Sequence, residues 1–467
     1  MNLLQRLKNR AFGYDAVDDK KRRRPPVSRL RSEDKELSQQ QRGTLITSSR
    51  QLQRSFSIAA FAIRKHLDYV SSFTFQSRTG RPELDRKIED LMTWWGRRRN
   101  CDVAERHSFR RMIRLAEARR TVDGDIFLLK VRGGRLQAIE ADRVRTPTIA
   151  GTDGVPSAAD LTHGVELSPV GRAKRYCVCK REKGNGQFSF DRMVSARNVI
   201  HHGFFDRFDQ VRGISPLAAA VNSFEDTYEN FDAALAKAKV AELFALAIYR
   251  EAADNVGVIE AQPIGDGQDG EEEERYNVDF GRGPLLLNLD PGDRAEFLES
   301  RQPSSEFQAF CQVVIGASLK SLDIPYSFFD ESFSTYSGSR QALLQYEQSA
   351  NEKRQDLRDD VLNPITAWRL ALWLIDGRLE LPAGLTLADL RWEWIATGLP
   401  WIDPLKEVNA DLKAIGGAIS SRTRVLKKQG LDFHDIADEL AEEKEYLEAK
   451  GLPGTIAAGP APKPAAK

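Results

Sequence analysis

Gln210-Val211-Arg212-Gly213-Ile214-Ser215-Pro216-Leu217 is the stretch at which the chain changes architecture. Ser215 at a cap position and Pro216 at the first helical position form a helix start. The serine oxygen can accept from an orphan amide, and proline has no amide to leave unpaired. Behind them Leu217, Val221, Phe224, Tyr228, Phe231 and Leu235 are spaced alternately by four and three, one stripe of an α-helix. Val240, Leu243 and Ala247 continue the run after a phase shift. The sequence therefore predicts a helix over 216–250, roughly 50 Å long at about 1.5 Å per residue. The mean globular helix has only about 11–12 residues. Alanines at 233, 234, 236, 238 and 241 let neighbouring helices approach its middle closely. Long rods with small faces pack side by side.

Downstream, 252–303 reads as a small β insert. Its glycine-rich 265–270 runs into Glu271, Glu272, Glu273 and Glu274, an exposed acidic loop, before a short strand at 285–287 and a turn at 290–293. A second helix is predicted over 305–322, apolar on most of its circumference through Phe307, Phe310, Cys311, Val314, Ile315 and Leu319. The exception is the thin row Gln308, Gln312, Gly316 and Lys320. Such a helix is buried on several sides and wet on one. In a lone subunit that row is the solvent face; in a ring it is the face left for a channel. Pro325 ends the helix, and 326–337 is a loop carrying Phe328, Phe329, Asp330, Glu331 and Phe333. A third long helix, 338–376, has Leu357, Val361, Ile365, Trp368, Leu372 and Ile375 on one stripe, with Pro364 predicting a kink near 363. A tryptophan-rich connector (Trp392, Trp394, Trp401) leads to two more helices, 403–429 and 432–449, and a Pro/Ala-rich tail.

Upstream, residues 1–43 read as a basic, flexible arm. Residues 1–32 hold ten Lys/Arg against three Asp, a solvated leader or a contact for nucleic acid or a partner surface. Helical spacing covers 44–118. Next comes a predicted hairpin, 125–131 with 136–139 around Gly133-Gly134. Further short strands are predicted at 176–180, 188–191 and 199–202, so that 44–212 forms one mixed α+β unit.

Composition excludes more than it assigns. Lys+Arg total 69 and Asp+Glu 68, so any polyanion contact must come from local arrangement rather than bulk charge. The four scattered cysteines suit a reducing compartment, and Cys177 and Cys179 are too close for the usual zinc spacing, so they read as alternating strand residues. No apolar stretch approaches the about 20 residues of a bilayer span, which predicts a soluble chain with no membrane partner. Asp123 and Asp125 flank a glycine, a spacing also seen in metal-dependent nucleases, and are read as two carboxylates on one strand face. His201-His202 has no neighbouring nucleophile in sequence, and no phosphate-binding Gly-x-x-x-x-Gly-Lys-Ser/Thr loop occurs. No enzyme, metal or cofactor is expected.

Several short motifs, in order, resemble those of lambda-type portal proteins of tailed bacteriophages. Gln210 to Leu217 resembles the segment opening their stem helix, and Asp323-Ile324-Pro325-Tyr326 resembles the turn after their second stem helix. Tyr336-Ser337-Gly338-Ser339-Arg340 is similar to a Tyr-Ser-Ser-x-Arg signature, with Gly338 replacing the second serine. Trp401 to Glu407 resembles the start of their C-terminal helices, and Asp123 to Phe127 an Asp-Gly-Glu-x-Phe element. The resemblance spans about 45–450 of the sequence. It implies an α+β portal fold with long stem helices, a β-containing wing and clip, and a helical crown. Laid on this sequence, 44–212 is wing, 213–251 stem, 252–303 clip, 304–325 second stem helix and 326–339 tunnel loop. The kinked helix and wing return then occupy 340–402, the crown 403–450 and the tail 451–467. It further implies a homo-oligomeric ring, usually of twelve, at one capsid vertex of the virion, assembled in the host bacterial cytoplasm. Double-stranded DNA would pass through it during packaging and ejection. The implied partners are the large terminase subunit, the major capsid and scaffold proteins, and head-tail connector or adaptor proteins. Gln308, Gln312, Lys320 and the loop residues Phe328, Phe329, Asp330, Glu331 and Phe333 become candidates for the DNA path, with Lys237 and Lys239 on the first stem helix. Glu271 to Glu274 become a candidate motor contact.

Overall fold

A computed structural model describes residues 32–148, 157–182, 186–243, 246–250, 293–297, 305–330, 336–398 and 403–452. They fall into two compact units, one drawn from 1–224 and 316–467, the other from 225–315.

The larger unit begins with a short helix α1 (Glu33–Glu36) and α2 (Gln39–Ser55). A capping box opens α2: the Ser38 hydroxyl accepts from the Gln41 amide, and the Gln41 side chain accepts from the Ser38 amide. In α3 (Ser57–Val70) the buried positions Ile58, Ala62, His66 and Val70 recur at the helical period. The expected helical run is then interrupted, because β1 (Phe73–Ser77) is a strand. Its partner is the strand Trp392–Ala396, paired antiparallel with Phe75 opposite Trp394. Alternating Phe-Thr-Phe suits a pleat, but the pairing partner lies across the chain, where local spacing does not reveal it. The tryptophan-rich connector is thus partly a strand.

Helices α4 (Pro82–Trp95), α5 (Arg98–Cys101) and α6 (Phe109–Asp123) follow. Gly124, at φ 95°, swings α6 straight into β2 (Asp125–Val131), a backbone setting that glycine adopts without steric cost. The hairpin to β3 (Arg135–Glu140) forms where the sequence places it. A four-stranded antiparallel sheet is built from β4 (Leu161–Thr162), β5 (Val165–Leu167), β6 (Ala173–Arg181) and β7 (Phe188–Ser195). β8 (Val199–Gly203) returns to pair with β2, giving the order β3-β2-β8. Strand alternation lets β2 serve two cores. Leu128 joins Ile88, Trp95, Ile113, Val361 and Trp373, whereas Phe127 and Leu129 join Ile139, Val165 and Val178. Each fully buried side chain of this size contributes about 1.5–3 kcal/mol, so the late helices are integral to the early domain.

The long helix departs from expectation at its far end. Pro216–Ala219 is a 3-10 turn, and α7 (Val221–Leu243) is helical. Leu246–Arg250 is instead strand β9, paired antiparallel with β10 (Asp293–Phe297). The extended pairing supplies ladder partners that a continued helix would forgo. Glu271 to Glu274, the 285–287 strand and residues 290–292 of the expected turn lie outside the described residues, and Asp293 opens β10.

Helix α8 (Ser305–Leu319) and a 3-10 turn (Lys320–Leu322) match the second predicted helix. The third is split into α9 (Tyr336–Leu357), a π-helical turn (Arg358–Leu362) and α10 (Asn363–Ile375). Pro364 has no amide, and its ring would strike the carbonyl four residues back. Widening the preceding turn, with the Asn363 amide reaching the Arg358 carbonyl, removes the clash. After β11 (Trp392–Ala396), the expected helix 403–429 is two helices, α11 (Pro404–Gly416) and α12 (Arg422–Lys428). Gly416-Gly417 and Ala418, at φ 56°, break it. α13 (Phe433–Ala449) closes the described chain apart from a short turn.

Candidate functional site

Arg212, Gly213 and Ser215 fasten the base of the long helix to the α/β domain. The buried Arg212 guanidinium donates from Nε and Nη2 to the two carboxylate oxygens of Asp125, at 2.6 and 3.0 Å. Its remaining donors reach the carbonyls of Ala141, Val144 and His163. Asp125 also accepts from the Gly213 amide at 3.0 Å and faces Arg42 at 3.2 Å. Burial alone would raise the Asp125 pKa, but Arg212 and Arg42 hold the carboxyl well below its usual range. Burial likewise lowers the Arg42 pKa to about 10, despite the opposing pull of Asp125. Ser215 donates to the Thr121 carbonyl at 2.7 Å while accepting from the Leu217 amide. Two motifs 87 residues apart are therefore one structural latch.

Asp123 and Asp125 do not share a strand face, contrary to the sequence reading. Asp123 ends α6 and accepts from Arg50 at 2.8 and 2.6 Å, on the other side of the Gly124 turn. Each carboxylate is occupied by its own arginines. Backbones cross closely here: a Cβ on Gly124 would sit 2.6 Å from the Gly213 carbonyl oxygen, and one on Gly213 would sit 2.2 Å from that of Gly124. Gly124→Ala should therefore destabilise folding by about 1–3 kcal/mol from its positive φ alone, with the steric contact adding to it. A denaturant midpoint equal to that of the parent would contradict this crossing.

Glu117 lies 3.1 Å from the His202 ring and accepts from His66 at 2.7 Å, Asp360 lies 3.2 Å from His202, and Arg120 stands beside this chain of groups. Burial outweighs the Glu117 contact and lowers the His66 pKa; burial also brings His163 down to about 4. A histidine kept neutral by folding binds its proton first in the unfolded chain, near pH 6.5. Stability should thus fall as pH drops from about 6.5 toward 4, and further below pH 4, where Asp125 takes up a proton in the unfolded chain but resists it in the folded one. Urea unfolding at stepped pH checks this; His163→Gln should flatten part of the first decline.

Helix α7 emerges from the latch with one apolar stripe in two conditions. Leu217, Val221 and Phe224 are fully buried, whereas Tyr228, Phe231 and Leu235 on the same stripe are exposed, Leu235 by 54%. Within the smaller unit Phe231 meets Phe307 edge to face at 6.2 Å. On α8 and at the turn after it the exposed positions are Gln308, Ala309, Phe310, Val313, Ala317 and Lys320, with Val313 72% exposed. Gln312 and Gly316 are half-buried. The predicted polar row is therefore not the wettest face in one subunit; an apolar strip beside it is. Lys239 is exposed, and Lys237 is helical backbone.

The turn that follows is tightly held. Asp323, at φ 60°, accepts from Lys353 (2.8 Å) and Ser349 (2.6 Å) on α9, while Leu322 and Ile324 are buried. Phe328 stacks on Tyr69 at 5.9 Å and meets Tyr346 edge-on at 5.4 Å, so it turns into its own subunit. Phe329 is more exposed and contacts Phe61 and Tyr326. Asp330 is half-buried, and Glu331 and Phe333 lie outside the described residues. Arg340 of the signature segment pairs with Glu407 of α11 at 2.8 Å. The sequence reading did not single out Arg42, Val313 or the role of Arg212; for Arg212 the signal was its place beside Gly213.

Residues 20–354 match the sequence model described as phage portal protein, lambda family. A protein named probable portal protein, from Halomonas phage phiHAP-1, is 20% identical over 386 residues, spanning 79% of this chain and 72% of that one. Among solved structures, a chain from the virion of a native gene transfer agent particle aligns at 16% identity. It covers 82% of this chain and 93% of that one, with a TM-score of 0.42. A chain from the neck of the empty particle, computed with C6 symmetry, aligns at 16% identity over 82% and 94%, with a TM-score of 0.43.

Proposed function

The chain belongs to the lambda family of phage portal proteins, and on that premise we propose that copies of it close into a ring, twelve being the expected number, around a bore for double-stranded DNA. The observation carrying this reading is the α7 stripe, buried at Val221 and Phe224 and more than half exposed at Leu235. An apolar stripe continued past its own domain fits burial against neighbouring copies, and the exposed Phe310 and Val313 on α8 extend the same need.

The ring stands at one vertex of the virion. It acts as conduit, gate and docking surface for the packaging motor and for connector proteins, and performs no bond chemistry. Duplex DNA carries one charge per about 1.7 Å of axis, so a densely basic bore would hold it fast. Exposed Gln308, Lys320 and Lys239 on the two helices offer sparse charge among neutral groups, which favours sliding. Phe329 and Asp330 approach the DNA at the turn, while Phe328 anchors that turn. The acidic run Glu271 to Glu274 serves as the motor-facing surface. Electron microscopy of the purified chain tests the reading: annuli with a central hole are expected, and solid particles of single-subunit size would overturn it.

A further inference from the structure

The C-terminal helices carry a second, separate unpartnered surface. On α11, Leu405, Val408, Leu412 and Ile415 are spaced three, four and three apart, and Ile419 extends the row into the next turn. This is the spacing of a helix-packing seam, yet Leu405, Leu412 and Ile419 are 75%, 60% and 79% exposed. On α13, Phe433, Ala437, Leu440 and Leu447 fall on a comparable row, and Leu440 is 59% exposed. Neither helix has a fully buried residue. An isolated helix of about 12–15 residues is marginal in water, so both need a cover.

Charge indicates what the cover is. Residues 404–428 hold six Lys/Arg against Glu407 and Asp411, whereas 433–449 hold seven Asp/Glu against Lys444. Part of this is used within the chain: Arg78 binds Asp432, Gln76 donates to Asp435 at 2.7 Å, and Lys427 pairs with Glu393 at 2.8 Å. The first two pin the start of α13 beside β1, Lys427 ties α12 to β11, and Arg86 pairs with Asp438 at 3.5 Å, while Glu439, Glu442 and Glu443 stay exposed. Among the described residues, Glu439, Glu442 and Glu443 on α13, and Arg422, Arg424 and Lys428 on α12, form no ion pair within the chain.

We propose that α13 of one copy packs on the α11–α12 surface of the next, apolar row against apolar row and acidic face against basic face. The two surfaces differ, so the contact is head-to-tail and repeats around an axis until it closes. This rests on the ring reading and names one interface of it.

A charge exchange tests it. The triple variant Glu439→Lys/Glu442→Lys/Glu443→Lys and the triple variant Arg422→Glu/Arg424→Glu/Lys428→Glu should each lower the assembled fraction at least tenfold in moderate salt. Circular dichroism should stay unchanged, because these side chains are exposed. Combining all six changes should restore assembly. Rings formed normally by either triple variant would overturn the contact while leaving the ring reading intact, and would assign this surface to another protein. Folded triple variants that fail to assemble, with no recovery in the sixfold variant, would overturn it too. An unmodified chain that never forms rings would defeat both.

Discussion

Arg212→Ala is expected to cost about 3–5 kcal/mol of folding stability, the usual loss when one member of a buried ion pair is removed. The guanidinium is nearly inaccessible and serves Asp125 together with three backbone carbonyls. Its loss leaves Asp125 with Arg42, the Gly213 amide and His201 and removes the side-chain donor from the Val144 and His163 carbonyls, a penalty above the loss of the pair itself. Arg212→Lys should recover little, because one ammonium cannot span acceptors arranged for a planar fork. Asp125→Ala should be comparably damaging for the opposite reason: Arg212 and Arg42 would remain buried as like charges. The double variant Asp125→Ala/Arg212→Ala should lose clearly less than the sum of the singles, since the two act as one unit. Urea titration of all three supplies the comparison, and strict additivity would mean that the latch is not a unit.

Leu235→Asp and Val313→Asp should do the reverse, sparing the subunit and destroying the assembly. Both side chains are more than half exposed in one copy, so folding stability should move by no more than about 0.5 kcal/mol. Between copies the same carboxylate would be buried without a partner, at a cost of several kcal/mol. Every 1.4 kcal/mol is tenfold in an association constant, and a closed ring repeats the penalty at each contact. A well-folded single subunit is therefore expected from either variant by light scattering. Normal rings from both would place these residues on a free surface.

The sequence disclosed the local features and concealed the long-range ones. The hairpin 125–140 and the start of the long helix were legible because a glycine turn and a Ser-Pro cap act within a few residues. β1 was missed because its extended form depends on Trp392–Ala396. The far end of the long helix was misjudged at the phase shift after Leu235. A five-residue step to Val240 breaks a helical stripe, and the strand at Leu246–Arg250 follows soon after. Pro364 correctly marked a disturbance, but sequence alone did not reveal a widened π turn. At the candidate site, the residue types on α8 gave polar against apolar but not which strip its own subunit leaves bare. Motif order located the family, whereas the Asp125–Arg212 contact explains why two of those motifs occur together.

Association across copies is the physical premise on which the functional account stands, and the mass of the purified chain over a dilution series measures it most directly. One large species at an integral multiple of the 52.5 kDa subunit, close to twelvefold, with little single chain, is the expected result. A folded 52.5 kDa species alone at every concentration would contradict it.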